Sequence, residues 1–316
     1  MSATSAAESA LEHLITRDEG KRGLAPLIQA AQGALGAASA RLCALPAHSS
    51  VAVLTGFPCR IELPVAQESD GPSGAVAIAR ALLALGHEVC ILTDRCCEGV
   101  VRAVVDGAPS AHRPSVRAFA PAAERGAEAW DALLGEELAE FAALVAIERA
   151  GAAADGSYRT MSKRVMADLA PLDRLFTLAA DRGVPTIAVG DGGNELGMGS
   201  LGDLTREHIP NGEVIACVTK ADILIVASVS NWGGYALAGA IAARAADAGQ
   251  FDSRLAALTA CVATVDEEAA MLDAGVAAGM CDGVTGLQER TVDGLPFAET
   301  ARVLEGVREV ITLSNP

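Results

Sequence analysis

Aromatic residues are scarce: Phe, Trp and Tyr together make up 3% of the 316 residues. Stacking platforms for single-stranded nucleic acid are therefore not expected. Positive charge is also short, with 24 Lys and Arg against 40 Asp and Glu and a net charge of -16. Such a chain repels phosphate backbones and anionic lipid surfaces, which argues against a nucleic-acid or membrane partner. The longest mainly apolar run, 214–229, is interrupted by Lys220 and Asp222, so no segment is suited to span a bilayer. The first twenty residues carry Glu8, Glu12, Asp18 and Glu19 and lack an apolar stretch, which fits neither a secretory signal nor a transit peptide. A cytoplasmic location is expected. The eight cysteines show no C-x-x-C spacing, and the adjacent Cys96 and Cys97 cannot close an ordinary disulfide. They read as buried thiols of a reducing compartment. His13, His48, His87, His112 and His208 pair neither with cysteine nor with each other at metal-ligand spacing, so a zinc site or a Ser-His-Asp triad has no support.

What the sequence does hold is a large aliphatic fraction, 51% hydrophobic residues rich in alanine and valine. This suffices for a sizeable core of small side chains packed between a sheet and helices. Residues 2–45 place apolar residues at helical spacing (Leu11, Leu14, Ile15; then Leu24, Leu27, Ile28) with Gly20 and Gly23 between, which predicts two helices ahead of the sheet. Short apolar runs at 50–57, 89–93, 144–147, 186–189 and 223–229 read as buried strands, and the helical pattern at 74–85 joins the first two into a β-α-β unit. Segment 107–128, rich in proline, alanine and charge, reads as an irregular exposed connection. The expected architecture is one α/β domain over 1–316, with 1–45 as a helical N-terminal extension and a mainly parallel sheet. In such sheets the loops after the strand ends converge on one crevice, where ligands bind.

Polar motifs fall in those loops. After the first strand comes Gln67-Glu68-Ser69-Asp70-Gly71-Pro72-Ser73-Gly74, where Glu68 and Asp70 could bind a cation or an amine and Ser73 could cap a helix; an ordinary turn is the alternative. At 147–151 Glu148 and Arg149 adjoin a strand end, where the guanidinium could clamp a carboxylate with Glu148 facing the other way, or could simply fasten the strand to a helix. The densest motif is Gly190-Asp191-Gly192-Gly193-Asn194-Glu195-Leu196-Gly197-Met198-Gly199. Its glycines suit close backbone approach, while Asp191, Asn194 and Glu195 offer oxygen ligands for a hard cation. It lacks the Gly-Lys-Ser/Thr element of a phosphate-binding loop, and its acids would repel a dinucleotide pyrophosphate, so no nucleotide cofactor is expected. Ser230, Asn231 and Trp232 follow the last strand as helix caps or as hydrogen-bonding and apolar contacts for a substrate. Two Asp-Gly pairs, at 282–283 and 293–294, suggest a hairpin.

Taken together, TGF at 55–57, ESDGPSGA at 68–75, IERAG at 147–151, DGSY at 155–158, GDGGNELGMG at 190–199, SNWGGYALA at 230–238 and the paired DGVTG and TVDGL resemble the domain that forms the C-terminal half of D-glutamate cyclases. The resemblance implies a three-layer sandwich with a Rossmann-like sheet and closure of D-glutamate to 5-oxo-D-proline with loss of water. It also implies a small amino-acid substrate. The hydro-lyase-like half that precedes this domain in two-domain cyclases is not in the sequence, which makes a separate partner chain or a homo-oligomer an expectation. For a cyclase, Glu195 or Glu68 would act as base and Asp191 and Asp70 would hold a divalent cation such as Mg or Mn. Arg149 would clamp the α-carboxylate, with Gly71, Glu148, Gly192, Gly193, Asn194, Ser230, Asn231 and Trp232 around the substrate. The rival readings are a non-catalytic module for a small anion or nucleotide and a hydrolase of a related lactam.

Overall fold

The computed structural model describes residues 3–17 and 23–313; Gly20, expected between the first two helices, lies outside them. Six strands, β1 (Ser50–Gly56), β2 (Glu88–Asp94), β3 (Ser115–Phe119), β4 (Ala143–Arg149), β5 (Thr186–Gly190) and β6 (Ile223–Val226), form one sheet. Every neighbouring pair is parallel, in the order β3-β2-β1-β4-β5-β6. Thirteen helices accompany them among the described residues: α1 (Ala3–Ile15), α2 (Ala25–Ala30), α3 (Ala34–Cys43), α4 (Pro72–Ala84), α5 (Glu98–Gly107), α6 (Ala127–Leu138), α7 (Arg174–Arg182), α8 (Asp203–His208), α9 (Gly212–Ile215), α10 (Ser230–Asp247), α11 (Arg254–Cys261), α12 (Val265–Ala277) and α13 (Phe297–Leu313). A short antiparallel hairpin, β7 (Thr291–Val292) and β8 (Leu295–Pro296), precedes the last helix.

Alternation along the strands sorts the core into two layers. Val51, Val53, Ile91, Val145, Ile147, Ile187 and Val189 face α1, α3, α4, α5 and α10 to α13. Ala52, Leu54, Leu92, Leu144, Ala146 and Ala188 face α2, α6 and α7. The result is the expected three-layer α/β sandwich. Alanine and glycine let α10 lie almost wholly buried: Tyr235, Leu237, Ala238, Ala240, Ile241 and Ala242 are all fully covered. No described helix is long and apolar enough to cross a membrane.

Two expectations needed correction. Among the described residues of the first 45 there are three helices where two were expected, because Gly33, at φ 83°, ends one turn and starts α3 in a new direction. Those helices join both layers, with Leu11, Ile15, Leu35 and Leu42 in one and Leu24 and Leu27 in the other. Segment 107–128 contains β3 between two 3-10 turns. Only Phe119 of this strand is buried, so it shows no apolar run.

Candidate active site

The chain reverses its direction of travel across the sheet between β1 and β4, and the loops after their carboxyl ends open a crevice there. A cavity of about 440 Å³ occupies it. Its lining includes Glu68 from the loop after β1, Glu148 at the end of β4, Asp191, Gly192, Asn194 and Glu195 after β5, and Asp293 from the β7–β8 turn. Acids far apart in the chain thus share one space: of the four expected to meet, Glu68, Asp191 and Glu195 line it, and Asp70 lies beside it. Oxygen atoms of Asp70, Asp191 and Asp293 lie within 4.8 Å of one another, and so do those of Glu148, Asp191 and Glu195. Asp191 belongs to both triads.

Local contacts position these acids. Gln67 closes the loop that carries Glu68: its Oε1 accepts from the Phe57 amide at 2.9 Å and its Nε2 donates to the Glu68 carbonyl at 2.8 Å. The Cys59 thiol donates to Glu68 Oε2 at 3.3 Å. Burial, the Glu68 charge and this bond push the thiol far above its usual range, so Cys59 is not a thiolate nucleophile. Glu195 Oε2 accepts from the Gly193 amide at 2.6 Å, which folds the glycine loop around its own carboxylate. Gly193 has φ 100°, and a Cβ there would fall 2.2 Å from Ile209 Cδ1. Gly71, at φ 101°, is equally constrained: a Cβ would stand 2.7 Å from that of Glu148. These two glycines allow the loops to touch and do not line the cavity.

Glu148 itself has φ 39°, a strained value for a residue with a side chain, and accepts from Ser230 Oγ at 2.7 Å. Burial, followed by the charges of Glu195, Asp70, Glu68 and Asp293, raises its carboxyl well above the usual range. A cluster this dense keeps protons or takes up a cation. Its donors are all hard carboxylate oxygens, which fits a cation of the Mg or Mn type.

Other predicted contacts turn out to build the frame. Asp70 caps α10 across the chain: Oδ2 accepts from the Ser230 amide at 2.8 Å and Oδ1 from the Asn231 amide at 2.7 Å. The Asn231 side chain accepts from Gly71 and Gly74 amides and donates to the Ser69 carbonyl, which locks the two loops together. Trp232 is fully buried, its Nε1 3.4 Å from Thr300 Oγ1, and does not wall the cavity. Ser73 is not a cap; its hydroxyl meets that of Tyr235 at 3.2 Å. Arg149 is the clearest correction. Its guanidinium is fully buried, ion-paired with Asp94, and donates to the carbonyls of Gly56 at 3.2 Å and Ala170 at 2.8 Å. A side chain so enclosed fastens β4 to β2 and cannot clamp a substrate. The cysteines form no disulfide, yet Cys96 is exposed and Cys43 and Cys59 are half-buried, so not all are core thiols.

Three groups were missed. Asp293 was read as a turn residue, and it is one: Asp293 and Gly294 have φ 56° and 75°, both positive as the tight hairpin turn requires. The same turn delivers its carboxylate to the cavity. Asp282 does not form a second hairpin turn; it accepts from the amides of Val284, Thr285 and Gly294 and ties the loop down. Arg60 and Arg164 line the cavity from segments without any motif.

The model of the D-glutamate cyclase-like, C-terminal family matches residues 11–308. The chain is also similar to the human protein named D-glutamate cyclase, mitochondrial, with 36% identity over 327 aligned positions. That alignment takes in 96% of this chain and 51% of the human protein, so the chain spans about half the length of this relative. The fold, the order of the motifs and these matches place the chain in the D-glutamate cyclase-like, C-terminal family.

Proposed function

We propose that this chain is a hydro-lyase that closes D-glutamate to 5-oxo-D-proline and water. The observation that carries the reading is the cavity into which Glu68, Glu148, Asp191, Glu195 and Asp293 converge from three loops and the end of β4. In the reaction the nitrogen lone pair attacks the side-chain carboxyl carbon, a C–N bond forms and a C–O bond breaks. Of the three ammonium protons, one stays on the lactam nitrogen and two leave with the oxygen as water. The site must therefore take protons from nitrogen and deliver them to oxygen, which suits a set of carboxyl groups in different protonation states.

Glu195, held by the Gly193 amide, or Glu68 is the base for the ammonium group. Glu148, buried among four other acids, is the group best suited to hold a proton for the departing oxygen. Asp70, Asp191 and Asp293 would hold a divalent cation of the Mg or Mn type. When bound, that cation would polarise the carboxyl under attack.

The test is 5-oxoproline formation from D- and L-glutamate, with and without divalent cation, by wild type and Asp191→Asn. The proposal expects cation-dependent product from the D isomer with wild type and a large loss in the variant. Background rates in every sample would refute it for the isolated chain.

A further inference from the structure

The acids of the cavity account for the reacting end of an amino acid but leave its α-carboxylate without a partner, because Arg149 is sealed into the core. At the rim stand two other guanidinium groups. Arg60 Nε lies 2.9 Å from Glu62, and Arg164 Nη1 lies 2.5 Å from the other oxygen of the same carboxylate. All three side chains line the cavity. Two cations thus share one anion, leaving one positive charge in excess beside a strongly acidic floor. Arg60 has a built seat: its Nη1 lies 3.4 Å from the carbonyls of Gly283 and Val284. Gly286, at φ 74°, leaves room for it, since a Cβ there would come within 2.4 Å of Arg60 Nη2. Arg164 is about half exposed and has only Glu62 as an ion-pair partner among the described residues.

We propose that Arg60 and Arg164, bridged by Glu62 at the rim, anchor the α-carboxylate of the substrate, which makes the site specific for amino acids carrying that group. The assignment rests on the cyclase reading for its orientation. Ring closure brings the nitrogen and the side-chain carboxyl together at the acidic floor, and the α-carboxylate, which does not react, must then point away from it. A fork of guanidinium donors matches a carboxylate in shape and charge. Glu62 acts as a placeholder that keeps the two arginines in position and yields one of them to the ligand. The arginines are positioning and specificity residues, and the proton transfers belong to the floor.

The experiment compares two ligands that differ in this one group: D-glutamate and 4-aminobutanoate, which has the same amine and terminal carboxyl but no α-carboxylate. Calorimetric binding to wild type, Arg60→Gln, Arg164→Gln and Glu62→Gln is measured, with KM and kcat for D-glutamate alongside. Each arginine variant is expected to weaken D-glutamate more than 10-fold, chiefly in KM, and to leave 4-aminobutanoate within about 2-fold. Glu62→Gln is expected to leave glutamate binding equal or tighter. A purely structural ion pair would instead make Glu62→Gln and Arg164→Gln behave alike. Equal effects on both ligands, no effect on either, or no binding of D-glutamate to wild type would overturn the proposal. Wild type that binds D-glutamate but forms no 5-oxoproline would defeat the cyclase reading while leaving the anchor to be judged by the binding data.

Discussion

Arg149 decides between two views of this molecule, and its replacement by methionine separates them. The guanidinium is wholly enclosed, paired with an equally enclosed Asp94, and bonded to two carbonyls. Arg149→Met keeps most of the side-chain volume but strands a buried carboxylate whose remaining partner is the Ala170 amide at 2.7 Å. Breaking one side of a buried pair costs about 3–5 kcal/mol. At about 1.5 °C per kcal/mol for a chain of this size, the melting temperature should fall by roughly 4–8 °C. The double variant Arg149→Met, Asp94→Leu removes both charges and should recover part of that loss, since an apolar pair of similar volume can be nearly neutral. Thermal melts by circular dichroism give the answer directly. If Arg149→Met melts with wild type and loses only affinity for glutamate, the guanidinium serves the ligand and the placement argued here is wrong.

Three further outcomes follow from named contacts. Asp70→Ala removes both acceptors from the first turn of α10 and should destabilise the fold by about 1–3 kcal/mol in urea titration, more than an exposed cap would. Glu268, buried beneath Tyr235, has its carboxyl pushed up to about 7 by burial. A folded-state value above the unfolded one makes its contribution complete at acid pH and progressively lost as pH rises from about 4.5 through 7. Glu268→Gln should therefore flatten the decline of melting temperature between pH 5 and 8, and parallel curves for the two proteins would contradict this. Substituting Glu195→Gln should lower kcat for lactam closure by about 10²–10⁴-fold with the melting temperature nearly unchanged, if it is the base.

Much of this fold was legible because β1, β2, β4, β5 and β6 are covered on both faces and so read as unbroken apolar runs. β3 escaped because it keeps Arg117 and other half-exposed residues and carries no such run. The acids of the site were legible from their place after strands, since glycine-rich acidic loops at strand ends have few structural uses. Roles were harder. Asp70 and Asn231 have the residue types of ligand contacts, yet both also tie the loop after β1 to the start of α10 through backbone groups more than 150 positions away, which no local pattern encodes. Arg149 and Arg60 are chemically identical in sequence; only the third dimension buries one and brings the other to the rim.

The central claim is that acids from separate loops act on one substrate as a unit. Single and double variants Asp191→Asn and Glu195→Gln test it most directly through kcat/KM for 5-oxoproline formation from D-glutamate. Groups that act together should be strongly non-additive, so the double variant is predicted to lose little more than the worse single one. Losses that multiply, or single variants as active as wild type, would contradict the account.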